Sequence, residues 1–154
     1  MNAEFVNPFL SSLINVLQTM AMLEIKPGRP SLKNDVIARG DVSGLIGMVG
    51  PQIAGSFSIS FDEDLALSVF KMMVGETVDT INDDITDMVG EITNMVAGGA
   101  KRQLGEKGYE FNMATPVVVT GPGHAITHKV NGSKVLMPFK SEKGNAYIEI
   151  CFDQ

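Results

Sequence analysis

The spacing of apolar residues changes period along this chain, and that change constrains the fold more than any single motif does. From Val6 to Met20 the residues Val6, Phe9, Leu10, Leu13, Val16, Leu17 and Met20 recur at steps of three and four. This is the stripe of an amphipathic helix, predicted to run to about Leu23 and to end before Pro27. Between Ser31 and Phe61 the pattern shortens to β-favouring runs, Val36-Ile37, Leu45 to Val49 and Ile53 to Phe61, divided by Gly40, Gly44, Gly50-Pro51 and Gly55. Glycines at those intervals predict an antiparallel meander. In its last run Phe57, Ile59 and Phe61 alternate with Ser56, Ser58 and Ser60, so one face is buried and the other polar, and the sheet is expected to be half solvated or paired with something.

The helical period returns twice. Asp62-Glu63-Asp64 opens a second helix, because carboxylates are favoured in a first turn, and Gly75 stops it. A third helix starts near Asn82 to Asp84, any of which can cap it, and continues to about Gly105 with the stripe Ile85, Met88, Val89, Ile92, Met95 and Val96. Strand-like pieces follow at Tyr109 to Met113, Pro116 to Val119, Val130 to Phe139 and Ala146 to Phe152, with Gly-Pro-Gly at 121–123 and a turn at Glu142 to Asn145 between them. The order helix then strands, read twice, predicts an α+β fold in which long helices cover one face of an antiparallel sheet. The first and third helices have the look of duplicated halves, with weak residue identity.

With 154 residues, 44% of them hydrophobic, the chain suits one core of ordinary size, and residues 1–154 are expected to form a single domain. The net charge is −6, with acids and bases interspersed and no basic block, which argues against nucleic acid as a partner. No apolar stretch reaches the roughly eighteen residues that a membrane span needs, and no basic residue precedes the first apolar run. One cysteine, Cys151, excludes an intrachain disulfide framework and fits a cytoplasmic location. In the last strand it shares a face with Tyr147 and Glu149, opposite Ile148, Ile150 and Phe152. It has no cationic neighbour in sequence, so an inert thiol is expected.

Chemistry points to the third helix. Asp87, Glu91 and Asn94 are spaced four and three apart and stand in one row opposite the apolar stripe. Gly90 and Gly98 lie beside that row, and Gly99 follows. Glycine within a helix costs about 1 kcal/mol relative to alanine, so three within ten residues call for a reason, and close approach of another surface is one. The bare spacing is also what an ordinary solvated helix face looks like. The glycines are what distinguish it.

Read as Asp87-Met-Val-Gly90-Glu91-Ile-Thr-Asn94-Met-Val-Ala-Gly98-Gly99 with Pro116 some twenty residues on, the segment resembles the CheC, CheX and FliY phosphatases. Their signature is Asp or Ser, then Glu-x-x-Asn on a helix, then a proline. Asn7-Pro8-Phe9 and the glycine-rich strands extend the resemblance over essentially the whole chain. A single motif makes it similar to CheX rather than CheC. The matching place in helix one reads Ser12-Leu-Ile-Asn15, which keeps the asparagine and lacks the glutamate.

The resemblance implies a phosphatase that removes the phosphoryl group from the aspartate of a CheY-type response regulator in chemotaxis. Asn94 would orient the attacking water and Glu91 would anchor the partner's active-site lysine. Asp87, Gly90 and Gly98 would be partner contacts, with helix capping as the plain alternative for Asp87. It implies no cofactor of the chain's own, Mg²⁺ being carried by the regulator, and a homodimer paired through sheet edges, such as the strand-rich C-terminal half would offer. The alternatives are a non-catalytic regulator-binding or flagellar-switch module of the same fold, or a structural subunit whose glycines serve helix packing.

Other constellations carry less. His124 and His128 are four apart but follow Gly-Pro-Gly in a β-like stretch with no third ligand, and are expected to be loop or strand histidines. The acidic run Asp79 to Asp87 has Asp84 where a calcium loop needs glycine and reaches Gly90 where it needs glutamate. Glycines from Gly40 to Gly50 lack the Lys-Ser/Thr of a phosphate loop. The ten methionines are expected mainly to fill core.

Overall fold

A computed structural model describes residues 3–153. Within them the chain forms α1 (Ala3–Ala21), β1 (Lys26–Pro27), β2 (Ser31–Leu32), β3 (Val42–Val49), β4 (Ala54–Phe61), α2 (Glu63–Val74), α3 (Asp83–Glu106), β5 (Asn112–Met113), β6 (Val117–Thr120), β7 (Lys134–Ser141) and β8 (Gly144–Asp153). The strands make one antiparallel sheet in the order β1-β7-β8-β4-β3-β5, with β2 also on β7 and β6 also on β3.

Register puts the apolar residues of the long strands on one face. Phe57 stands between Ile46 and Ile150, and Ile59 between Gly44 and Ile148. The helices cover this face, so the expected α+β arrangement holds. The ring of Phe9 lies 4.8 Å from that of Phe57, and Phe9, Leu13, Leu17, Ile85 and Ile92 are fully buried with them. Each such side chain contributes about 1.5–3 kcal/mol by leaving water. α3 lies so close to β3 that a Cβ on Gly44 would overlap the Thr93 hydroxyl, which itself donates to the Val89 carbonyl at 2.7 Å.

Helix ends follow the local chemistry with two shifts. Of the three candidate caps of α3, Asn82 serves, its Oδ1 accepting the Ile85 N–H at 3.0 Å. Gly75 ends α2 at φ 84°, in the left-handed region. Asp62 precedes α2 without capping it; its Oδ2 accepts the Asn145 N–H at 3.1 Å, and Asp41 Oδ2 takes the Glu63 N–H at 2.8 Å. α1 begins earlier than Asn7-Pro8, which places Pro8 inside it.

One expectation about the sheet needs correction, and one resolves to the second of its two alternatives. β3 and β4 form the anticipated hairpin, but Val36-Ile37 is not its neighbour: Ile37 makes only an isolated bridge to Ala125, and β2 pairs with β7 at the far side of the sheet. The chain leaving α1 at Ala21 runs along β7 first, where Gly28 N–H and Lys33 N–H also reach β7 carbonyls. The serine face of β4, expected to be half solvated or paired with something, is paired rather than solvated. Ser56, Ser58 and Ser60 are 4%, 0% and 1% exposed, because the connection from Gly121 to Ser133 and the stretch from Lys33 to Ala38 lie over them. The alternation marked two chemically different faces correctly: on the polar one Ser56 bonds His128 and Ser60 bonds Ser43, while Ser58 Oγ is buried with no partner among the described residues.

The edges also differ from a simple reading. β8 is interior and β7 is covered by residues 26–33. The outer strands are therefore that proline-containing segment, blunted as edge strands commonly are, and the short β5 and β6.

Candidate functional site

α3 is twenty-four residues long, about 36 Å at the usual rise per residue. Its apolar stripe is buried from Ile85 to Leu104, which fixes the helix against the sheet and α1 and leaves the opposite side outward. Asp87, Glu91 and Asn94 are all exposed on that side, in one row, as the spacing predicts. Among the described residues none of the three side chains makes a hydrogen bond or ion pair. A rigid helix thus presents a carboxylate and a carboxamide one turn apart, both with unused capacity.

The three glycines turn out to answer different needs. A Cβ on Gly99 would overlap the hydroxyl of Ser12, which donates to the Val96 carbonyl at 2.9 Å, so that glycine serves the α1–α3 contact. At Gly90 a Cβ would make an ordinary 3.5 Å contact with Val118. At Gly98 it would meet nothing within 4 Å. Intramolecular packing therefore explains Gly99 and leaves Gly98, in mid-helix, without an internal reason.

Pro116 leads into β6, which pairs with β3 alongside α3 and sets Val118 next to Gly90. On α1 Ser12 is buried in the helix contact just described while Asn15 is exposed, so the weak second copy of the motif is divided between packing and surface.

A second group of polar residues lies on the other face of the sheet, under the Gly121–Ser133 connection. Lys33 Nζ meets Glu149 Oε2 at 2.7 Å, both side chains at most 1% exposed. His128 Nε2 lies 3.2 Å from Glu149 Oε1, and its Nδ1 2.7 Å from Ser56 Oγ. His124 bonds Ser43 through Nε2 and the Gly121 carbonyl through Nδ1. Burial pushes the Glu149 carboxyl up, but the hydrogen bonds from His128 and Lys33 and the Lys33 charge pull it further down, leaving it below its ordinary value. The histidines are loop residues, as expected, and they tie the loop down. Sequence reasoning missed Lys33 and Glu149 as partners, although a glutamate between Ile148 and Ile150 in a core strand was a signal. Among the described residues no three His, Cys, Asp or Glu side chains gather as a metal site. Cys151 is buried, which raises its thiol, and it donates to backbone carbonyls.

The sequence model of the family described as "Chemotaxis phosphatase CheX" matches residues 42–140, a span that holds β3, β4, α2, all of α3 and Pro116. The chain belongs to the CheX family. A CheX relative, the CheY-P phosphatase CheX of Thermotoga maritima, is 30% identical over 122 residues, 79% of this chain and 78% of that protein. The crystal structure of the chemotaxis protein CheX from Vibrio vulnificus is 65% identical with a TM-score of 0.91, covering 97% of this chain and 99% of the other. The CheX of the Borrelia burgdorferi CheX–CheY–BeF₃–Mg²⁺ complex is 27% identical with a TM-score of 0.81, covering 97% and 98%. Among the described residues no helix is long and apolar enough to cross a membrane.

Proposed function

We propose that this CheX-family chain hydrolyses the aspartyl phosphate of a CheY-type response regulator, with Asn94 orienting the water and Glu91 anchoring the regulator. The observation that carries it is the exposed, unpaired Glu91 and Asn94 in one row on a helix held rigid by its buried side. The T. maritima relative is named for CheY-P, and the B. burgdorferi relative is seen with CheY, BeF₃ and Mg²⁺, where beryllofluoride stands in for a phosphoryl group on a carboxylate.

The reaction asks little covalent chemistry of the protein. Water attacks phosphorus, the bond from phosphorus to the aspartate oxygen breaks, and aspartate and inorganic phosphate result. Mg²⁺ carried by the regulator neutralises phosphoryl oxygens. Phosphoryl transfer passes through a loose transition state, so in-line placement of the water matters more than its deprotonation. A carboxamide suits that task because it both donates and accepts and does not ionise. Glu91, one turn away, supplies a charge-assisted bond to the regulator's active-site lysine, which fixes the docking register. Asp87 adds a contact one turn earlier, and Gly90 and Gly98 let the regulator approach the backbone. The whole of residues 1–154 would act as one domain, in the cytoplasm. The same reading carries a homodimer through a sheet edge, for which residues 26–33 and β5–β6 are the candidates.

The test is phosphate release from a phosphorylated CheY-type regulator with Mg²⁺ and a catalytic trace of protein, wild type against Asn94→Ala. Multiple-turnover release that disappears in the variant supports the proposal. A stoichiometric effect without turnover would make the chain a binding module instead.

A further inference from the structure

The polar row continues past Asn94. One turn on lies Gly98 and a further turn on Arg102. Beside them α1 and α3 part to leave a groove of about 440 Å³, lined by Asn15, Thr19 and Met20 of α1 and Met95, Gly98 and Arg102 of α3. Met20 is 40% exposed there. Arg102 is exposed and, among the described residues, pairs with no carboxylate, although the chain holds 18 acidic residues. Charge along α3 is unevenly divided, with Asp83, Asp84, Asp87 and Glu91 in its first half and Lys101 and Arg102, followed by Glu106, in its second. The helix macrodipole favours that order. It does not account for a guanidinium without a partner at the rim of a groove next to an exposed methionine.

We propose that this groove seats a second part of the same response regulator, and that Arg102 is a specificity-determining residue, pairing with a carboxylate on the regulator's surface. The identity of the occupant rests on the phosphatase reading. Continuity argues for it: Gly98 belongs to both row and groove, so a body close enough to set a phosphoryl group at Asn94 overlies Gly98 and Arg102, about 6 and 12 Å further along the helix. Charge argues for it too. A surface that holds Mg²⁺ is rich in carboxylates, this chain at −6 repels such a surface as a whole, and a guanidinium takes a carboxylate in a two-pronged bond. Docking becomes polarised, with Glu91 meeting the regulator's cation and Arg102 its anion. A regulator seated the other way round sets like charges together.

Steady-state hydrolysis of the phosphorylated regulator is measured for wild type, Arg102→Glu, Arg102→Lys and Met20→Glu, at low and high salt. Arg102→Glu should raise KM about tenfold with kcat changed by less than about twofold, Arg102→Lys should recover much of the loss, and added salt should narrow the differences. Met20→Glu, on the opposite wall, should raise KM in the same sense. An unchanged KM in both glutamate variants, or a fall in kcat at constant KM, overturns the proposal. If the wild type itself releases no phosphate, the phosphatase reading fails separately, and the same variants are compared by calorimetric binding to the regulator loaded with beryllofluoride and Mg²⁺. Weaker binding by Arg102→Glu then upholds the groove, and equal binding overturns it. Self-association of the wild type that Arg102→Glu abolishes would give the groove to a second copy and overturn it as well.

Discussion

Glu91 and Asn94 stand one turn apart, yet substitution should remove different things from them. Asn94 acts on the water, which is held productively only as the transition state forms, so Asn94→Ala should lower kcat about a hundredfold with little change in KM. Glu91 acts on the bound regulator throughout, so Glu91→Ala should raise KM about tenfold, the worth of one charge-assisted bond. Both side chains are exposed and, among the described residues, unpaired, and thermal unfolding of both variants should match the wild type. Equal losses in kcat and none in KM from both would mean that Glu91 does not anchor the partner.

At the scale of the element, α3 carries two adjacent glycines with opposite reasons. Gly98→Ala should stabilise the chain by about 1 kcal/mol, since the new methyl meets nothing and helix propensity improves. The same methyl should raise KM for the regulator, because the open space it fills is where a partner comes close. Gly99→Ala should instead destabilise by about 1–3 kcal/mol, since its methyl overlaps Ser12 and forces α1 and α3 apart. Chemical denaturation of the two variants beside hydrolysis kinetics separates these effects. A Gly98→Ala protein that is more stable and equally active would remove the close-approach argument. From sequence the pair looked alike, because nothing local says which face of α3 meets α1.

For the whole molecule, the buried Lys33–Glu149–His128–Ser56 group joins the sheet to the segments that cover its second face. Glu149 titrates below its ordinary value of 4.5 in the folded state. Its contribution to stability is therefore complete above that value and is lost as the pH falls through the lower, folded one. Thermal unfolding followed from about pH 7 to about pH 3 should show this loss, and the acid slope should be shallower in Glu149→Gln. That variant should also lose about 3–5 kcal/mol at neutral pH, because it takes away the buried carboxylate 2.7 Å from Lys33 and leaves that buried ammonium only the half-exposed Asp35 at 3.9 Å. A variant as stable as wild type at neutral pH would show that the group does not hold the cover in place. None of this touches the α3 face, so hydrolysis below the unfolding transition should be retained.

Local periodicity determined the three helices, the β3–β4 hairpin, the two faces of β4 and the outward row of Asp87, Glu91 and Asn94, because each is set by residues within a few positions of one another. The resemblance of that row and Pro116 to a phosphatase signature was legible for the same reason. Only the tertiary structure decided that residues 26–33 run along β7, that Ser56, Ser58 and Ser60 are roofed over, and that Lys33 meets Glu149 across 116 positions of sequence. It also decided which glycine faces a neighbour and which faces open space. These depend on where distant segments come together, which is fixed by the burial of the whole core and is not written in any local pattern.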